Sequence, residues 1–288
     1  MSNKFISALL LALGLYSCGT VPVTGRRTLN LVSDNEILSS SVSQYRSFIQ
    51  QAPLSTNSTT NSRVKEVGTR IINATMQYLK EHRFNDLARQ MSWELNVVNS
   101  RAVNAFCMPG GKIVVYTGLL NLIGSGAASD AQLAAVIGHE VAHALAKHAN
   151  ERISNQMLLQ MGGDILGSAV SDKSALMRMV IGQAYGLGTN MFVALPFGRK
   201  QELEADKIGL VLMAMAGYDP NEAVNLWRKM GAGSKGGMEF LSTHPSDETR
   251  IREIQAYMPN ALKYYKPKST GITYTPVTNK KIHSTRKK

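Results

Sequence analysis

Gly138-His139-Glu140-Val141-Ala142-His143 is the stretch that decides how this chain is read, and the apolar run Leu133-Ala134-Ala135-Val136-Ile137 leads straight into it. On an α-helix, residues four apart lie about 40° apart around the axis, one turn up. His139 and His143 then share a face and can hold one metal ion through their imidazole nitrogens. Glu140 lies about 100° round from His139, where its carboxylate can reach a water in an open metal position. Two histidine ligands, a glutamate base and an open position make the layout of a hydrolytic zinc centre. The competing reading is a buried helix that merely carries two histidines. Burying two imidazoles and a carboxylate without partners would be costly, which argues against it. Ser129-Asp130-Ala131-Gln132 has the form of a capping box for this helix. Gly138 costs about 1 kcal/mol relative to Ala inside a helix, and so predicts a closely packed neighbour.

A centre with two histidines needs a further protein ligand. Pro196 and Gly198 end the preceding region, and a new helix is expected from about Arg199, carrying Glu202-Leu203-Glu204-Ala205-Asp206. Glu202 and Asp206 share a face at a spacing of four. Glu202 is the candidate third ligand. Asp206 is the candidate carboxylate for the outer nitrogen of a bound histidine. Glu204 points about 160° from Asp206 and is expected to face solvent. His148 follows His139 by nine residues, about 180° round a continuing helix, and cannot be a ligand while that helix continues. Ala146 and Ala149 stand where the extended metzincin motif needs Gly and His. Ser242-Thr243-His244-Pro245 offers one more histidine. His244 could hold the oxyanion of a tetrahedral intermediate, occupy the open metal position at rest, or be a helix-cap residue.

Strand signals cluster before the metal helix. Trp93, Leu95 and Val97 alternate with polar residues. Val103–Cys107 and Lys112–Thr117 flank the turn-forming Met108-Pro109-Gly110-Gly111. Asn104, Ala105 and Phe106 are the candidate edge along which a substrate strand would add; a plain structural hairpin is the alternative. Cys107 is expected in the core. Two amphipathic helices precede this sheet. The first opens at the capping box Ser33-Asp34-Asn35-Glu36, and the second carries Val64, Val67, Ile71 and Tyr78.

The chain has 288 residues, 44% hydrophobic and 18% charged, which suits one domain with short appendages. Its net charge is +12, but eight basic residues and no acidic one lie from Lys263 onward. The remainder is only mildly basic, so no nucleic-acid partner is expected. Met1–Ser17 has a basic residue and an apolar core of about a dozen residues, the pattern of a secretory signal. Leu15-Tyr16-Ser17-Cys18 resembles a lipobox, with Cys18 the lipidated residue. The expected division is 1–17 signal peptide of lipoprotein type, 18–30 tether, 31–262 zinc metallopeptidase domain, and 263–288 a basic, disordered tail. Ile153–Phe197 is apolar and Gly- and Met-rich, expected as helices covering the site near a membrane surface or as plain core.

Several of these motifs together resemble the zinc metallopeptidase family of HtpX and the CAAX prenyl protease, in its periplasmic lipoprotein branch of LoiP and BepA type. The resemblance rests on Val23-Thr24-Gly25-Arg26-Arg27, Asn104-Ala105-Phe106 with Pro109-Gly110-Gly111, His139-Glu140-x-x-His143, Glu202-x-x-x-Asp206 and Thr243-His244-Pro245. It spans roughly residues 20 to 260 in order. It implies an α+β, predominantly helical, zincin-like fold with a small antiparallel sheet beside the metal helix. It implies one Zn2+ per chain on His139, His143 and Glu202, with Asp206 beside them and Glu140 catalytic. The implied activity is endopeptidase cleavage of misfolded or misassembled bacterial envelope proteins, from a lipid anchor in the outer membrane facing the periplasm. Two other readings compete: a chaperone-like assembly factor whose protease site is latent and gated by His244, and a binding lipoprotein whose zinc is structural.

Overall fold

Every residue from Ala131 to Leu145 is buried in the computed structural model, which describes residues 18–164, 198–232, 240, 244 and 248–267. The expected leader 1–17, the larger part of the apolar 153–197 region and nearly all of the basic tail lie outside the described residues. Among the described residues, no helix is long and apolar enough to cross a membrane.

In chain order the elements are β1 (Cys18–Thr20), β2 (Arg27–Leu29), α1 (Asp34–Gln51), α2 (Ser58–Glu81), α3 (Asn85–Gln90), β3 (Glu94–Val98), β4 (Ala105–Met108), β5 (Lys112–Tyr116), α4 (Thr117–Ile123), α5 (Ala127–Leu145), α6 (His148–Asp164), α7 (Arg199–Met215), α8 (Asn221–Ala232) and α9 (Glu248–Leu262). The fold is predominantly helical, as expected. Helix α1 opens on the predicted box: Ser33 Oγ accepts from the Glu36 amide, and the Glu36 carboxylate accepts from the Ser33 amide. Helix α2 buries Val64, Val67, Ile71 and Tyr78, the stripe its spacing predicts.

The motif helix α5 is the centre of the packing. Helices α2, α7 and α8 and strand β4 lie against it. Its closest crossing is with α7. A Cβ at Gly138 would meet the Gly209 carbonyl oxygen at 3.0 Å, and one at Gly209 would meet the His139 nitrogen at 2.9 Å. Paired glycines therefore let the two backbones touch, which accounts for the helix-weakening Gly138 and brings Glu202 and Asp206 beside His139.

Three local expectations are corrected. Helix α5 begins at Ala127 with Gly126 as its cap, so Ser129 lies inside the helix. The Ser129 hydroxyl donates to the carbonyls of Ile123 and Ser125 instead of capping. The sheet is mixed: β4 and β5 form the predicted antiparallel hairpin, but β3 joins β5 in parallel, in the order β3-β5-β4. Residues 18–30, expected as a tether, hold the antiparallel hairpin β1–β2, with Val21 buried in the main core.

Candidate metal centre

Helix α5 presents His139 and His143 one turn apart, α7 presents Glu202, and His244 approaches from the segment before α9. One ligand atom from each of these four residues lies within 4.8 Å of the others. With Glu140 and Asp206, all six side chains are only 1–4% exposed.

The spacing of these atoms tests whether they suit a metal. A tetrahedral zinc with bonds of about 2.0–2.1 Å places its ligand atoms about 3.3–3.4 Å apart. Here the two Nε2 atoms of His139 and His143 are 3.1 Å apart. Glu202 Oε2 is 3.4 Å from His139 Nε2, and Glu202 Oε1 is 3.4 Å from His143 Nε2. His244 Nδ1 lies 3.3 Å from His139 Nε2 and 3.0 Å from Glu202 Oε1. Glu140 Oε1 and Glu202 Oε2 accept no hydrogen bond among the described residues, although His244 Nε2 stands 3.5 Å from the first and Arg250 Nη1 3.0 Å from the second. A buried set of two imidazole nitrogens and a carboxylate at these separations, with a third imidazole alongside, fits a divalent cation.

Each ring then needs its outer nitrogen satisfied. His139 Nδ1 lies 3.0 Å from Asp206 Oδ1. Asp206 is gripped in turn by buried Arg250, whose Nε and Nη2 donate to its two oxygens at 2.6 and 2.8 Å. The Arg250 guanidinium stacks 3.6 Å over the Trp227 ring. Arg250 was not legible as a site residue: it carries no motif spacing to the histidines and arrives on the last helix.

His143 is supported differently. Helix α5 stops at Leu145, Lys147 adopts a left-handed φ of 55°, and α6 restarts at His148. The break swings His148 back, so its Nδ1 lies 2.9 Å from His143 Nδ1. His148 Nε2 lies 3.0 Å from Glu204 Oε2. Glu204, expected at the solvent, is 6% exposed; Thr24 Oγ1 donates to it at 2.6 Å and Arg26 Nε at 2.8 Å. The β1–β2 turn and α6 cover the face of α7 that periodicity assigned to water.

Electrostatics follow from these contacts. Burial pushes the Glu140 carboxyl above its ordinary value, which favours proton uptake. Burial opposes ionisation of Glu202, but the facing His244, Arg250, His139 and His143 hold it well below the usual range. Burial depresses the His143 imidazole well below its usual value, keeping it in the neutral form that binds metal. Asn104, Ala105 and Phe106 lie at and within the start of β4, one of the two outer strands of the sheet, and all three are buried. The Cys107 thiol is buried and pushed well up, first by that burial; it is an inert core group. Cys18 opens β1.

The family model for peptidase family M48 matches residues 58–258. The chain belongs to peptidase family M48. It is 42% identical over 200 residues to the mitochondrial metalloendopeptidase OMA1 of Arabidopsis thaliana, covering 67% of this chain and 38% of that protein. It is 31% identical over 253 residues to the human mitochondrial metalloendopeptidase OMA1, covering 84% and 46%. The beta-barrel assembly-enhancing protease of Escherichia coli matches at 28% over 169 residues, covering 55% and 33%. The chain thus spans less than half the length of these curated relatives. They correct the expected location. The bacterial outer-membrane placement drawn from the lipoprotein branch is overturned, because relatives at 31–42% identity from plant, yeasts and human are mitochondrial by name. A short apolar stretch followed by one cysteine is too brief a pattern to fix a compartment, and residues 1–17 lie outside the described residues.

Proposed function

We propose that this chain is a zinc-dependent endopeptidase that hydrolyses peptide bonds in misfolded or misassembled proteins, with His139, His143 and Glu202 as ligands and Glu140 as general base. The observation that carries the reading is the near-tetrahedral spacing of the ligand atoms with the Glu140 carboxylate beside them. The nitrogen and carboxylate donors favour zinc. Bound there, zinc would supply a Lewis acid that polarises a carbonyl and acidifies a water.

The chain's own residues do the rest. Glu140 takes the proton of the attacking water and delivers it to the leaving amine; its buried, under-bonded oxygen suits both halves of that task. Asp206 and Arg250 hold the His139 ring. An extended substrate adds along β4, an outer strand of the three-stranded sheet, at Asn104, Ala105 and Phe106, beside the metal helix. The catalytic domain in this reading runs over 31–262.

A second reading is favoured by one contact pair. His244 Nδ1 stands at the separations of a fourth ligand from His139 and Glu202, and a centre closed by four protein ligands is structural or resting. His244 then holds the protease latent.

Metal content and casein cleavage, measured together, test both. The wild type should carry one zinc per chain and cleave, and Glu140→Gln should keep the zinc and lose cleavage by about 100-fold or more. Unchanged cleavage in Glu140→Gln would sink the assignment. His244→Ala should lower cleavage if His244 steadies the oxyanion and raise it if His244 closes the site.

A further inference from the structure

The structure also holds a small cavity lined by Asp34, Leu87, Pro109 and Lys147, a groove between α1 and the ends of β3 and β5, and buried polar groups that the proposed chemistry does not use. The last group yields a connected path. His148, Glu204, Thr24 and Arg26 lie outside the ligand set, yet they run without interruption from His143 to the β1–β2 turn.

The protons along this path admit one arrangement. If His143 offers its Nε2 lone pair to a metal, its proton resides on Nδ1. The group 2.9 Å away is His148 Nδ1, which must then accept. The His148 proton is thereby placed on Nε2, 3.0 Å from Glu204 Oε2, where a carboxylate accepts it. The opposite tautomer of His148 would set two N–H groups against each other. Glu204 accepts in addition from Thr24 Oγ1 at 2.6 Å and from Arg26 Nε at 2.8 Å, so donors surround it as an acceptor. Arg26 also holds Glu151 of α6 through two hydrogen bonds of 2.7 and 3.0 Å, so one guanidinium ties α6 to α7 at the outer end. The turn is itself fixed by amide bonds from Val21 to the Arg26 carbonyl and from Gly25 to the Val21 carbonyl.

We propose that His148 and Glu204 form a positioning relay that fixes the orientation and tautomer of His143, and that the β1–β2 turn, through Thr24 and Arg26, holds the outer end of that relay. The N-terminal hairpin is then part of the metal site rather than a lead-in to the domain. This rests on the reading of His143 as a ligand. Outer partners of metal-bound histidines commonly set metal affinity by about 10–100-fold, and here that partner is a neutral imidazole backed by a remote carboxylate.

The test uses the purified full chain. Zinc affinity is measured by chelator competition for wild type, His143→Ala, His148→Leu, His148→Gln and Arg26→Ala. Imidazole nitrogen NMR shifts of the metal-free wild type report which nitrogen of each ring carries the proton. His148→Leu should weaken zinc about 10–100-fold. His148→Gln, whose amide can accept from His143 and donate to Glu204, should recover to within about threefold of wild type, and Arg26→Ala should lose about threefold. His143 should be protonated on Nδ1 and His148 on Nε2. Wild-type affinity in His148→Leu, with zinc lost in His143→Ala, overturns the relay and leaves the ligand assignment standing. Wild-type affinity in His143→Ala overturns both. Equal losses in His148→Leu and His148→Gln, or a His148 protonated on Nδ1, also overturn the relay. Should His148→Leu fail to fold, the Arg26→Ala affinity and the tautomers decide.

Discussion

His139 and His143 sit one turn apart on one helix face, but their outer nitrogens meet opposite chemistry. His139 faces the carboxylate of Asp206, locked to Arg250. His143 faces the imidazole of His148. Burial and the Arg250 charge push the His139 ring down, but hydrogen bonds to Asp206 and Glu202 outweigh them and raise it to about 9. Burial outweighs the lift that Glu202 gives His143 and leaves that ring well below its ordinary value. The same residue type four positions apart is thus a proton holder at one site and a neutral donor at the other. At neutral pH a metal must displace a proton from His139 but none from His143.

The largest expected effect breaks the carboxylate arm. Asp206→Asn leaves Arg250, 2% exposed, with Glu202 as its remaining ion-pair partner in this site among the described residues. Removing one member of a buried pair typically costs about 3–5 kcal/mol, and that loss should appear in denaturant unfolding of the metal-free protein. His148→Leu on the other arm removes a neutral partner and should cost only about 1–3 kcal/mol, the penalty of one unmet buried N–H. Equal costs for the two would abolish the distinction between the arms.

A smaller effect sharpens the distinction through pH. His139 is raised above the usual 6.5, so its stabilisation is complete below that pH and fades as pH rises through about 9. His143 and His148 are depressed by burial, so their contribution is present above 6.5 and fades as pH falls below it. Each can contribute at most about 1.4 kcal/mol per pH unit. The metal-free protein should therefore be most stable near pH 6.5, its melting temperature falling towards both pH 5 and pH 9. A melting temperature that changes in one direction only across that range would contradict the opposed arms. Saturation with zinc, which requires His139 without its proton, should remove the alkaline decline.

The two arms also differ in how far they could be read from sequence. Glu202, Asp206 and the glycine contact were legible because helical periodicity alone sets which residues share a face. Gly138 carried a propensity cost that only a close neighbour, Gly209, explains. The imidazole arm was hidden by one local event. Helix α5 ends at Leu145, and the left-handed residue just beyond it is Lys147 rather than the Gly or Asn that usually marks such an end, so continuing the helix put His148 on the far side. Glu204 was sent to solvent by the same periodicity that placed Asp206. The inference failed because α7 is covered on two faces, the second by a hairpin whose strands are three residues each. Parallel pairing of β3 with β5 is likewise a tertiary outcome, since alternation marks a strand but not the direction of its neighbour.

The smallest expected effect tests whether the arms are independent. Thr24 donates to Glu204 Oε1 at 2.6 Å from the outer end of the imidazole arm, while Arg26 and His148 keep their own contacts with the other oxygen. Thr24→Val removes that one hydrogen bond at nearly constant volume and should cost about 1 kcal/mol. Because no bond links Thr24 to Asp206 or Arg250 among the described residues, the decline in melting temperature above pH 6.5, which belongs to His139, should keep its position. Were Thr24→Val to move that alkaline limb, the two histidines would be titrating as one network through Glu202, and the contrast between them would be a property of the cluster rather than of its separate supports.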